Sequence, residues 1–154
     1  MGDKFFLNFE TMPTGTAQQK GECIRYRIVN GKRVPYIHHF KAEKISSARQ
    51  EFEWKLKSHL PEKASEAPIR LMVVFYFDIK QPKKIWGTYK TTKPDVDNFV
   101  KELIDAMSED EKNHKRGFWK NDSQIVDLHI IKYYAEKATI YIEWDEVQSD
   151  AKPK

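Results

Sequence analysis

Residues 93–105 have the sequence Lys-Pro-Asp-Val-Asp-Asn-Phe-Val-Lys-Glu-Leu-Ile-Asp and predict a helix that begins beside two aspartates. Pro94 restricts Lys93 to an extended conformation and is typical of a helix start, so we expect a helix from about Asp97 to Met107. Apolar residues recur along this segment at helical spacing, which predicts one side packed on a core. These residues are Phe99, Val100, Leu103, Ile104 and Met107.

The acidic and basic residues of the same segment form a second stripe. Asp95 and Asp97 point to one side if the chain is still extended there, because side chains alternate along extended backbone. Asp97, Lys101 and Asp105 then follow at intervals of four residues and share one face of the helix. The sequence therefore predicts a rigid polar edge on a packed helix.

A second block, Gly-Phe-Trp-Lys-Asn-Asp-Ser-Gln-Ile at 117–125, carries Asp122 on a segment that we expect to return to the same place. The residues alone leave two interpretations open. Helix capping or surface ion pairing explains any one of these carboxylates. A bound divalent metal explains several together, because Mg²⁺ takes oxygen ligands, often one or two carboxylates with water and substrate phosphate.

The remaining pattern predicts a small α+β domain with one mixed or antiparallel sheet and two main helices. The first helix is expected over residues 41–60, where apolar residues recur at nearly helical period until Pro61. Asn30-Gly31 predicts the turn of a hairpin. Strands are expected at 5–10, 24–29, 34–38, 69–77, 125–134 and 138–144, with loops at 11–21, 80–93 and 108–116.

Length and composition predict one domain, residues 1–146, followed by a flexible polar tail at 147–154. The chain has 154 residues, with Lys and Arg exceeding Asp and Glu by 27 to 23, which permits a polyanionic partner without identifying one. The single cysteine excludes an intrachain disulfide and favours a reducing compartment. No apolar run approaches the roughly 20 residues of a membrane span, so we expect a cytoplasmic protein that does not bind membranes.

A basic loop leads directly into the acidic segment. No acid lies between Asp78 and Asp95, and the stretch carries Trp86 and Tyr89. Lysines of this kind neutralise phosphates, and aromatic side chains stack on unpaired bases. We therefore expect this loop to bind DNA through Lys80, Lys83, Lys84, Trp86, Tyr89, Lys90 and Lys93.

The two blocks together resemble a known family. The pattern Pro94-Asp95-x-Asp97-Asn98-x-x-Lys101-x-x-x-Asp105-Ala106-Met107, followed by Gly117-Phe118-Trp119-x-x-Asp122-Ser123-Gln124-Ile125-Val126, is similar to that of the RusA-type Holliday junction resolvases. The resemblance implies a homodimeric, Mg²⁺-dependent endonuclease, with Mn²⁺ as a possible substitute, that acts on four-way DNA junctions. It also implies the catalytic residues: Asp95, Asp97 and Asp122 as metal ligands, and Lys101 as the catalytic lysine.

Two further residues are expected to support this site. Asp105 is assigned as a structural partner of Lys101, and Gln124 as a residue that orients a ligand or touches the phosphate. The chain departs from the family pattern at Asn121, which replaces the first aspartate of an Asp-Asp pair, and in its longer 108–116 connection. It also lacks the Arg/Pro-rich basic segment usual after the first strand.

Other functional classes fit parts of the sequence. Pro94-Asp95 with Asp110-Glu111-Lys112 imitates the signature of restriction-type nucleases, which requires its second element on a buried strand. The residues are also compatible with a non-catalytic DNA-binding module or with a flap nuclease. A homodimer is expected because a four-way junction needs two opposed cuts, with an apolar interface from the sheet or from the 41–60 helix.

Overall fold

The computed structural model describes residues 1–13, 20–41 and 43–148. It confirms the predicted α+β class, with a mixed sheet and two helices in one small domain. The elements are β1 (Gly2–Asn8), β2 (Lys20–Val29), β3 (Lys32–Lys41), α1 (Glu43–Leu56), β4 (Ile69–Asp78), α2 (Val96–Met107), β5 (Ile125–Ala135) and β6 (Thr139–Glu146).

Four strands form the main sheet in the order β1-β6-β4-β5. β6 pairs antiparallel with both β1 and β4, whereas β5 runs parallel to β4. A parallel pair needs a crossover connection, and α2 lies within the segment that joins β4 to β5. β4 is therefore a central strand, and its alternate residues Ile69, Leu71, Val73 and Phe75 are completely buried.

The core lies between one face of this sheet and the two helices. Phe99 of α2 contacts Phe75 of β4, with ring centroids 4.9 Å apart, and Phe52 of α1, at 5.9 Å. All five apolar residues predicted for the inner side of α2 are buried. The helix that carries the acidic stripe is thus held rigidly by the core.

The hairpin β2–β3 forms a second sheet by itself, so the prediction of a single sheet is wrong: hairpin pairing is local and does not specify whether the hairpin joins the main sheet. Asn30 and Gly31 have φ values of 51° and 75°, the left-handed conformation that a tight hairpin turn requires. The turn predicted at this pair is confirmed. No other described element packs extensively on the hairpin.

Several boundaries differ from the prediction. β1 begins at Gly2 rather than Phe5, and α1 ends at Leu56, after which a 3-10 turn, Lys57–His59, completes the predicted helical segment. Parts of the predicted first loop (14–19) and of the polar tail (149–154) lie outside the described residues. None of the helices in the described residues is long and apolar enough to cross a membrane.

Candidate active site

Asp95 occupies the N-cap position of α2, so the helix begins one residue earlier than predicted. Its backbone is extended, with φ −66° and ψ 136°, and its carbonyl accepts the first helical hydrogen bond, from Phe99. Its side chain makes no capping hydrogen bond. The exposed carboxylate is therefore not used to stabilise the helix start, which removes the capping interpretation for Asp95.

Asp97, Lys101 and Asp122 line one cavity of about 440 Å³. Asp97 and Lys101 lie one helical turn apart on α2, whereas Asp122 lies immediately before β5. The rest of the wall is apolar and comes from α2 and the edge strand β5: Val100, Ile104, Ile125, Val126, Leu128 and Ile130. The fold thus brings the two sequence blocks together, as predicted.

The four charged side chains of this region are not paired with protein groups. In the described part of the chain, Asp95, Asp97, Lys101 and Asp122 form no side-chain hydrogen bond or ion pair. Surface carboxylates and lysines that serve only stability usually gain from such pairs or caps. The exposed charges of Asp97, Lys101 and Asp122, which line one cavity, instead remain available to a ligand.

Asp122 is placed by a hydrogen-bonded 3-10 turn, Asp122–Gln124. The Asn121 side chain accepts a hydrogen bond from the Ser123 backbone N–H at 2.9 Å, and Gln124 Oε1 accepts one from the Asn121 N–H at 2.8 Å. This reciprocal pair is a capping box. Asn121 therefore stabilises the turn. The family pattern has an aspartate at this position, so by the pattern alone Asn121 would be described only as the loss of a carboxylate.

Gln124 also fixes the turn to the body of the domain. Its Nε2 donates hydrogen bonds of 2.9 Å to the backbone carbonyls of Ser65 and Ala67. The amide is thus fully engaged by protein groups, and Gln124 supports Asp122 through the turn. A contact of Gln124 with phosphate stays a prediction.

The second block reaches α2 because Gly117 passes very close to the end of that helix. A Cβ atom on Gly117 would lie 2.2 Å from the Glu109 backbone nitrogen, so no other residue fits without moving the backbone. The Phe118 N–H donates to the Met107 carbonyl at 2.7 Å, and both Phe118 and Trp119 are fully buried. This anchor fixes the position from which the chain continues to Asp122.

Asp105 contacts Arg49 of α1 rather than Lys101, so its predicted partner is wrong. Arg49 Nη2 lies 3.1 Å from Asp105 Oδ2, and Arg49 Nε lies 2.7 Å from Oε1 of the fully buried Glu102. Asp105 is turned toward α1, where it lines a different cavity with Asp122. Its role is to tie the two helices together beside the site.

Lys132 is a residue near the site that sequence reasoning missed. It lies on β5, and its Nζ donates to the backbone carbonyls of Thr92 at 2.8 Å and Pro94 at 2.7 Å. Burial, and then the charge of Lys90, lower the pKa of Lys132, while the nearby Asp95 carboxylate opposes the shift. Lys132 therefore holds the chain immediately before Asp95, a role that depends on the parallel placement of β5 beside β4.

The predicted DNA-binding loop divides into free and engaged groups. Lys80, Lys83, Lys84 and Lys93 are exposed, whereas the half-buried Lys90 donates to the Thr92 hydroxyl at 2.7 Å.

The two aromatic side chains of this loop differ in the same way. Trp86 is half-buried and its Nε1 donates to the Ile79 carbonyl at 2.8 Å. Tyr89 is exposed and stacks on Tyr133, with ring centroids 5.2 Å apart. Tyr89 is therefore the better placed of the two to stack on a base, and DNA contact by the loop stays a prediction.

The restriction-type interpretation does not fit the fold. Asp110 forms only an isolated bridge with Lys115, and Glu111 and Lys112 lie in an exposed turn. The buried strand that this signature requires is thus absent at residues 110–112. The 108–116 segment instead returns the chain from α2 toward the Gly117 crossing.

The oxygen donors around the cavity lined by Asp97, Lys101 and Asp122 fit Mg²⁺. Nowhere in residues 1–13, 20–41 and 43–148 do three Asp, Glu, His or Cys side chains lie close enough to enclose a metal by themselves. Mg²⁺ does not require this, because it is often held by one or two carboxylates and completed by water and substrate phosphate. Asp97 and Asp122 offer oxygen ligands on an open cavity, and the full set of three ligands stays a prediction.

Comparisons with known proteins identify the family of this chain. The family model for endodeoxyribonuclease RusA matches residues 13–144. The chain is 36% identical over 148 residues to the crossover junction endodeoxyribonuclease rusA of Lactococcus phage r1t, covering 94% of this chain and 99% of the relative. It is also 31% identical over 137 residues to the uncharacterized protein YqaN of Bacillus subtilis strain 168, covering 81% and 87%. The resemblance found in the two sequence blocks is confirmed: the chain belongs to the RusA family and is an endodeoxyribonuclease.

Proposed function

We propose that this endodeoxyribonuclease is a Mg²⁺-dependent, homodimeric resolvase that cuts four-way DNA junctions during recombination or repair. The observation that carries the proposal is the convergence of Asp97, Lys101 and Asp122, none of them paired with a described protein group, on one open cavity. The name of the phage relative, a crossover junction endodeoxyribonuclease, supports the substrate.

The proposed chemistry is hydrolysis of a phosphodiester. Mg²⁺ bound at Asp95, Asp97 and Asp122 would neutralise charge on the non-bridging oxygens and activate a water molecule, with Mn²⁺ as a possible substitute. Asp97 and Asp122 approach the cavity from different segments, and each is fixed by a rigid support, the packed helix and the capped turn. Because these supports already hold the carboxylates in place, little reorganisation is needed when substrate arrives.

Lys101 is the protein residue that supplies positive charge to the site. It lies one turn after Asp97 on the same face of α2 and lines the same cavity. An ammonium at this position stabilises the extra negative charge of a pentacovalent phosphorus transition state. Because Lys101 has no carboxylate partner in the described residues, its charge is not already neutralised.

Substrate binding is assigned to the basic loop that precedes the site. Its exposed lysines contact phosphates independently of sequence, and the loop runs directly into Asp95. The chain carries one acidic cluster of this kind, whereas resolution of a junction needs two opposed cuts. A homodimer provides two related copies of the site.

The test is the exchange of Asp97 for asparagine with a matched control. Asp97→Asn is expected to lower Mg²⁺-dependent junction cleavage at least ~100-fold and to leave junction binding equal or tighter, because a repulsive charge is removed. Asp127→Asn is the control: it changes an exposed aspartate of β5 that is paired with Arg70 at 2.9 Å, and cleavage should stay within a few-fold of wild type.

Cleavage is measured on a four-way junction, a flap and a linear duplex, with and without Mg²⁺. Asp97→Asn activity close to wild type would remove Asp97 from the site. Faster cleavage of the flap than of the junction by the wild type would instead favour a flap nuclease.

A further inference from the structure

The β2–β3 hairpin has one apolar face that nothing in the described structure covers. Side chains alternate along each strand, and the cross-strand pairs place Ile24 opposite Ile37, and Tyr26 opposite Pro35, with Ile28 next along the same face. The four large side chains are strongly exposed: Ile24 by 66%, Tyr26 by 52%, Ile28 by 79% and Ile37 by 61%.

This exposure is unfavourable for an isolated element. A two-stranded hairpin by itself is marginally stable in water and needs a further strand or a packed face. The four exposures correspond to roughly 500 Å² of apolar surface, which is near the upper end for the largest patch on a monomer. The hairpin therefore requires a cover that this chain does not supply from its described residues.

We propose that the apolar face of the β2–β3 hairpin is buried against a second copy of this chain and forms the dimer interface. This inference rests on the proposed homodimer and assigns its surface. Complete burial of two such faces would remove about 1,000 Å² of mostly apolar surface from water, which is the lower limit for a biological interface. A single face can also pair with itself about a twofold axis.

The opposite face of the hairpin carries basic side chains together with Val29, Val34 and Tyr36, so it offers a separate surface for contact with DNA. Arg25, Arg27 and Lys32 lie on that side. The apolar face contains Arg33, whose guanidinium lies over the Tyr26 ring at 4.1 Å from its centroid. Joining two hairpins by their apolar faces would leave both opposite faces outward, where their basic side chains can reach phosphates.

The surfaces expected from the sequence are weaker candidates. Among the described side chains of α1, Trp54 is the exposed large apolar residue, and Lys57 covers its ring at 5.0 Å. On the outer face of the four-stranded sheet, the exposed Phe6 packs on Tyr141, with ring centroids 5.0 Å apart. Neither surface exposes as large a group of adjacent aliphatic side chains as the hairpin does.

The test replaces the three isoleucines of the face by threonine, which keeps the β-branched shape that strands favour. The variant is Ile24→Thr/Ile28→Thr/Ile37→Thr, and Trp54→Gln is the control on the competing surface. Sedimentation without DNA should show a wild-type dimer at micromolar concentration and an at least ~100-fold weaker dimer for the triple variant. Trp54→Gln should remain dimeric.

Circular dichroism checks that the variants fold. If the triple variant does not fold, the dimer affinity of the single variant Ile28→Thr, at the hairpin tip, is measured instead. An unchanged dimer in a folded variant overturns the proposal, and so does a monomeric wild type. A triple variant that stays dimeric but loses junction binding would assign the face to DNA instead. Cleavage by the wild type is measured separately, so failure of the nuclease assignment is distinguishable from failure of the interface.

Discussion

Replacement of Arg49 by methionine should destabilise the protein strongly although Arg49 lies partly at the surface. Arg49 joins α1 to α2 through Glu102 and Asp105. The Glu102 side chain is completely buried. Arg49 Nε lies 2.7 Å from Oε1 of Glu102, and Oε2 of Glu102 has no hydrogen-bond partner. Removal of the guanidinium leaves this carboxylate without any partner in the described structure.

The expected cost follows from the burial of each group. Removal of one partner from a buried ion pair costs about 3–5 kcal/mol. The Arg49 side chain is 30% exposed, so water offsets part of this cost and we expect about 3 kcal/mol. The contact with Asp105 is partly exposed and adds at most about 1 kcal/mol. For a domain of this length the melting temperature should fall by about 6–12 °C.

The assay is urea denaturation of the wild type, Arg49→Met and the double variant Arg49→Met/Glu102→Met. The double variant should recover most of the stability that the single variant lacks, because an apolar pair of similar volume replaces a buried ion pair at little cost. The dependence of the unfolding free energy on urea should not change. A decrease below about 1 kcal/mol for Arg49→Met, or a double variant no more stable than the single one, would refute this account of the helix contact.

Three further changes test other parts of the structure. Neutralising Lys83 and Lys84 to glutamine should weaken DNA binding at all sequences and flatten its logarithmic salt dependence by about 0.9 for each phosphate that the protein no longer neutralises; an unchanged slope would mean that neither lysine meets DNA. Lys132→Met frees the chain before the metal site, so we expect cleavage to fall roughly tenfold and more Mg²⁺ to be needed, with junction binding retained; an unchanged Mg²⁺ titration would contradict this role. The Ser65 hydroxyl lowers the pKa of Glu146 below 4.5, so the carboxylate stabilises the fold above that pH and the stabilisation disappears as pH falls through the lowered pKa. Melting curves should therefore show Glu146→Gln less stable than wild type at pH 7, with the difference shrinking as the pH falls through the lowered pKa.

Local pattern was sufficient to predict the helix that carries the site. The apolar period of α2 identified its buried side, including Phe99 and Met107, because helical periodicity depends only on near neighbours in sequence. The hairpin turn at Asn30-Gly31 was predictable for the same reason, since only residues that tolerate positive φ fit there. The site residues carried over from the family pattern depended in addition on fixed spacing in two blocks.

Contacts between distant segments could not be predicted in this way. The parallel pairing of β5 with β4 joins residues more than fifty positions apart, and no local signal specifies it. That pairing places Lys132 beside Pro94. The partner of Asp105 was wrong because spacing on a helix gives the face of a residue but not the neighbour that lies opposite it, here Arg49.

The arrangement of the site is better explained by binding than by folding. Convergent carboxylates repel one another, and Asp97 and Asp122 gain no hydrogen bond or ion pair from the described protein in return. The segments around them are nevertheless firmly held. Gly117 permits a close backbone crossing that no larger residue allows, and Gln124 donates hydrogen bonds from the adjacent turn to two backbone carbonyls. Gly117 and Gln124, which stabilise the fold, thus hold Asp97 and Asp122 close together although these two gain no stability from it. A cation bound between the two carboxylates would replace their mutual repulsion by attraction to the cation. The protein should therefore melt at a higher temperature in Mg²⁺ than in a chelator, and this difference should shrink in Asp97→Asn.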